Sequence, residues 1–99
     1  SGETTRVIVR GPVEAAVKAQ TQQMAEACLA AIAADGLPIR VLGPAPAPVA
    51  RLKANFRYHF QLSAADIASI QQLWKRVAPQ FKPPAQVEFA VDVDALNLR

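Results

Sequence analysis

The chain has one cysteine, one histidine and four glycines in 99 residues, and each scarcity removes a class of chemistry. A lone cysteine, Cys28, supports neither a disulfide framework nor a cysteine-based zinc site, so a reducing, cytoplasmic setting is expected. The scattered glycines include no Gly-x-x-x-x-Gly-Lys-Ser/Thr loop, and without that cradle of backbone N–H groups the chain is not expected to hydrolyse nucleotides. Any nucleophilic site would have to combine His59 with Ser63, Ser69 or Cys28, and no nucleophile elbow accompanies them. No apolar run reaches the roughly 18 to 20 residues that cross a bilayer, and the start lacks a charged-then-apolar leader pattern. No membrane partner, metal or catalytic group is therefore expected.

What is present reads as one small folded unit spanning residues 1–99, with 52% hydrophobic and 19% charged residues. The chain opens Ser1-Gly2 without a methionine, so residues 1–5 are expected to be disordered or partly a cloning remnant, and the unit to be cut from a longer protein. Eleven Lys and Arg against eight Asp and Glu give a formal charge of +3, which permits acidic or nucleic-acid partners without requiring them.

Periodicity predicts six elements. The β-branched run Arg6 to Arg10 reads as a strand that Gly11-Pro12 ends. Val13, Val17, Met24, Cys28 and Ile32 recur at helical spacing, predicting a helix from about Pro12 to Ala34 that Gly36 closes. Ile39 to Leu42 reads as a second strand, followed by a stiff arm in which Pro44, Pro46 and Pro48 alternate with alanine. From about Lys53 to Leu62 a third strand alternates Phe56, Tyr58, Phe60 and Leu62 with Arg57, His59 and Gln61. Ser63 is expected to cap a second helix, with Asp66 reaching back and Ile67, Ile70, Leu73, Trp74 and Val77 forming its apolar stripe. Gln86 to Asp94 alternates again as a last strand.

This order, β-α-β-β-α-β, predicts an α+β two-layer sandwich of split βαβ, ferredoxin-like type, with two helices on one face of a four-stranded antiparallel sheet. The aromatics and Trp74 then belong to the core, not to a base-stacking platform. The opposite face carries Arg6, Arg10, Arg57, His59 and Gln61, and Asp92 and Asp94 on the last strand are expected to ion-pair with Arg6 and Arg10. That pairing would leave the positive potential around Arg40, Arg51, Lys53 and Arg57, where phosphate contact and ordinary surface charge are both open readings.

Val41-Leu42-Gly43-Pro44-Ala45-Pro46-Ala47, a basic segment, Phe56-Arg57-Tyr58 and the closing Val91-Asp92-Val93-Asp94 together resemble the C-terminal domain of the replication-restart DNA helicase PriA, primosomal protein N′. Val7-Ile8-Val9-Arg10 is similar in position and type, so the likeness covers nearly all the chain. Asn55 stands where the family typically has an arginine, and Ala95 where it has a proline, which leaves Arg57 as the contact position that carries over.

The resemblance implies the fold of the tenth protein of the small ribosomal subunit and a bacterial, cytoplasmic parent: an ATP-dependent helicase using ATP, magnesium and zinc held outside this segment. It implies a C-terminal DNA-binding and docking domain with no cofactor of its own. The implied partners are branched or forked DNA, single-stranded DNA-binding protein, other primosome proteins and the parent's helicase core. The expected DNA contacts are Arg51, Lys53 and Arg57, with Arg40 and His59 as further candidates. The rival reading is a protein–protein module that packs on the helicase core or receives the acidic tail of single-stranded DNA-binding protein.

Overall fold

A computed structural model describes residues 2–81 and the backbone of residues 92–95. The first strand, β1 (Glu3–Gly11), begins earlier than its β-branched run, and Thr5 is buried, so the lead-in expected to be disordered enters the sheet at Glu3. Val7 and Val9 point to one face and are wholly buried. Helix α1 (Glu14–Asp35) follows, with Glu14 in its first turn complementing the helix dipole. It buries Val17, Gln20, Thr21, Met24, Ala25, Cys28 and Ala31, a stripe at three- and four-residue steps. Thr21 Oγ1 satisfies its buried hydroxyl by donating to Val17 O at 2.7 Å. Gly36 ends the helix at φ 62°, ψ 39° and donates its N–H to Ile32 O, a left-handed cap that glycine adopts without a Cβ penalty.

Strand β2 (Ile39–Leu52) corrects the expected strand-then-arm division. The Pro–Ala segment does not leave the sheet: β2 runs through it and pairs antiparallel with β3 (Asn55–Ala64), with register shifts between Leu42 and Ala45 and between Pro46 and Arg51. Prolines are tolerated because β2 lies at the sheet edge. Among the paired residues of β2, Pro46 opposite Tyr58 has no N–H to give to the ladder. Beyond Gly11↔Phe56 β1 has ended, so the pairs Arg51↔Phe56 and Leu52↔Asn55 finish in a hairpin tip at Lys53 and Ala54.

The expected four-stranded ferredoxin-like sheet also needs correction. Three strands of 9 to 14 residues, β2-β3-β1, carry the sheet, in a β-α-β-β-α order. Of the last strand expected over Gln86 to Asp94, only β4 (Asp92–Ala95) is described, a four-residue segment beside β1 in the order β2-β3-β1-β4. Residues 86–91 lie outside the described residues. The described pairing of β4 with β1 runs only from Thr5↔Ala95 to Ile8↔Asp92, so the three long strands carry the described sheet. The α+β class itself stands.

Helix α2 (Ile67–Val77) is capped by Asp66, whose carboxylate accepts from Ser69 N at 2.7 Å. Ser63, the expected cap, instead lies inside β3 opposite Thr4. Ile70, Leu73 and Val77 are buried against Phe60, Leu62 and the α1 stripe, while Ile67 stays exposed. Trp74 packs at the margin, its ring 6.2 Å from that of Phe81. Arg76 near the end of α2 ion-pairs with Asp35 at the end of α1 and ties the two helices together. Both helices thus cover the Val7, Val9, Phe60 and Leu62 face.

Candidate nucleic-acid interface

Strand alternation sends the remaining side chains to the other sheet face, and register fixes their rows. Arg6 faces Gln61, Ile8 faces His59 and Arg10 faces Arg57 across β1 and β3. On the far side of β1, Arg6 faces Asp94 and Ile8 faces Asp92. The expected carboxylate pairing is therefore met by register only for Arg6, whereas Arg10 is set opposite a second arginine. Sequence reasoning assigned Arg10 to an ion pair and so missed its place opposite Arg57. The signal that finds it is the register of β1 against β3, not any motif.

The five expected contacts do not form one cluster. Arg51 lies in the hairpin with its guanidinium 4.9 Å from the centre of the Phe56 ring. Lys53 stands at the tip, exposed, at φ 58°. Arg57 is half-buried and donates from Nη1 to Val49 O at 2.7 Å, bracing the segment where the β2–β3 register shifts. These three, with Arg10, gather at the hairpin end of the sheet. Arg40 is exposed but pairs opposite Ser63, at the other end, beside a shallow hollow lined by Gly2, Leu37, Pro38 and Ala65.

His59 sits mid-sheet and half-buried, with Nδ1 enclosed and without a hydrogen-bond partner among the described residues. Burial lowers its pKa below the ordinary histidine value, and the nearby Arg6 and Arg57 charges lower it further. Arg6 Nε is likewise enclosed and unpartnered among the described residues. On the helix side, Tyr58 donates to Glu14 Oε2 at 2.9 Å, and that bond raises the phenol pKa. Glu14 is thereby engaged away from the outer face.

Cys28 is fully buried, and burial pushes its thiol up to about 12, so it is neither a nucleophile nor a thiolate ligand. Among the described residues no group of three or more His, Cys, Asp or Glu converges. No described helix is long and apolar enough to cross a membrane.

The fold and this hairpin define a small α+β domain with Arg10, Arg51, Lys53 and Arg57 at one end of its sheet. The chain belongs to the family of the primosomal protein N C-terminal domain, whose profile matches residues 2–96. Among curated proteins none matches it. Among solved structures it is similar to a de novo designed protein, Foldit4, with a TM-score of 0.64 at 14% identity over 100% of both chains. That likeness speaks to the fold alone.

Proposed function

We propose that this domain is a non-catalytic DNA-binding and docking module of an ATP-dependent replication-restart helicase, acting in the bacterial cytoplasm. It contacts branched or duplex DNA through backbone phosphates. The observation that carries the reading is the grouping of Arg51, Lys53 and Arg57 at one hairpin end, with Glu14 at that end turned to Tyr58. Cations braced on a two-stranded ribbon match phosphates without reading base edges, so binding is sequence-independent and salt-sensitive. ATP, magnesium and zinc would be held elsewhere in the parent.

The test is titration of forked DNA with this domain at two salt concentrations. Three phosphate contacts give a log–log salt slope of about −2.7, and Lys53→Ala lowers its magnitude by about 0.9. Lys53 is the clean probe, because Arg57→Ala also removes the brace on Val49. Absent or salt-independent binding sinks the reading.

A second reading, a protein–protein module for the helicase core or for the acidic tail of single-stranded DNA-binding protein, draws support from the exposed Val49 and Leu52 beside the cations. An acidic C-terminal peptide that binds while DNA does not would favour it.

A further inference from the structure

Arg10 and Arg57 face each other across β1 and β3, where opposed side chains have Cβ atoms about 4.5 to 5.5 Å apart and like charges repel. The described register between β1 and β4 ends at Ile8↔Asp92, so the arginine row lies past the last described acidic position on β4. No carboxylate bonds either arginine among the described residues. Arg57 commits one N–H to Val49 O and keeps the rest of its fork, and Arg10 is exposed. His59 follows Arg57 at the next outward position of β3; its Nδ1 is enclosed, so Nε2 is the ring nitrogen left to face a ligand.

We propose that Arg10, Arg57 and His59 form one seat for a phosphodiester group on the outer sheet face, with Arg10 completing it. The inference rests on the DNA-binding reading above and adds to it a defined anion site and a residue outside the expected contact set. Two guanidinium forks on adjacent strands converge on a single tetrahedral anion, and the anion removes the repulsion between them. A neutral imidazole contributes an N–H donor, and a protonated one adds charge. The other groups around the imidazole are Arg6 and Ile8 on β1, Gln61 on β3 and Ala45 on β2, with Asp92 and Asp94 at the β4 positions facing Ile8 and Arg6. The acidic positions thus flank Arg6, and the open cationic side is the Arg10–Arg57 row.

Being the only histidine, His59 reports on the seat directly by NMR titration. The 99-residue chain is titrated with pH alone, with a short duplex DNA, with inorganic phosphate and with an acidic peptide. The expected result is a rise of the His59 pKa in the DNA complex, loss of that rise in Arg10→Gln, and a salt slope smaller in magnitude by about 0.9 in the same variant. Lys18→Gln, on the exposed side of α1, leaves both unchanged. Inorganic phosphate alone produces a weaker rise if the seat reads the phosphate group itself. DNA that binds with His59 and the Arg10→Gln slope unchanged overturns the seat while leaving binding through Arg51 and Lys53 intact. Absence of any DNA binding overturns the broader reading as well, and a His59 shift with the peptide but not DNA reassigns the row to a protein partner and refutes the proposal.

Discussion

Replacing Gly43 with alanine probes the joint between the edge strand and the face that carries His59. Gly43 sits at φ 101°, outside the regions open to residues with a side chain, and at the first register shift of β2. A Cβ there would stand 3.2 Å from His59 O and 3.4 Å from both Ala45 N and Phe60 Cα, all backbone atoms. They cannot retreat without moving Phe60, which is wholly buried. Backbone strain of about 1–3 kcal/mol and a further contact cost of about 1 kcal/mol give a loss of roughly 2–4 kcal/mol. Gly36→Ala is the control: its φ is 62°, but nothing lies within 4 Å of the added Cβ. That change should cost only the left-handed penalty, about 1–2 kcal/mol. Urea unfolding followed by Trp74 fluorescence measures both; with a slope of about 1 kcal/mol/M, the Gly43→Ala midpoint falls by about 2 M or more. Equal losses in the two variants, or none in Gly43→Ala, would refute the argument that backbone contacts at Gly43 hold the two strands in register.

Three further outcomes follow from the same geometry. Asp66→Ala should cost about 1 kcal/mol by removing the carboxylate that accepts from Ser69 N, whereas Ser63→Ala should leave the α2 end unchanged; paired urea titrations distinguish them. Because His59 is held below its unfolded pKa, the unfolded chain binds the extra proton first. Stability from this group is therefore full above about pH 6.5 and declines as pH falls through and below that value, and His59→Gln should flatten the decline in denaturation curves taken across that range. The Cys28 thiol, raised to about 12, should resist alkylation at pH 8 in the native chain and react only at the rate of unfolding; rapid labelling under native conditions would contradict its burial.

Patterns that depend on one segment were legible in the sequence. The valines of β1, the aromatic alternation of β3 and the apolar stripe of α2 each announce a buried face, and Val7, Phe60 and Leu73 are indeed wholly buried. The primosomal family could be read from short motifs spread along the chain. What was missed depends on how segments meet. Proline at alternate positions reads locally as a strand breaker, and only the edge location of β2 makes it compatible with pairing. Ser63 and Asp66 are both good caps by type, and continuation of β3 through Ala64 decides between them. Arg57 was visible as a basic strand residue, but its bond to Val49 O and its position opposite Arg10 are properties of register. The placement of Arg40 and Arg51 met the same limit, since register and packing set one at the far end of the sheet and lay the other on Phe56.

The alternating prolines of β2 have a consequence for how this domain can meet other molecules. Pro44, Pro46 and Pro48 carry no N–H, so this stretch of the edge strand holds fewer backbone donors than an ordinary strand. A foreign strand laid along Pro44 to Pro48 would find few backbone donors, which disfavours extension of the sheet. Along this margin the domain is poorly suited to backbone recognition and to self-association by strand addition. Contact there falls to side chains, and β2 carries its two charged ones, Arg40 and Arg51, at opposite ends of the strand.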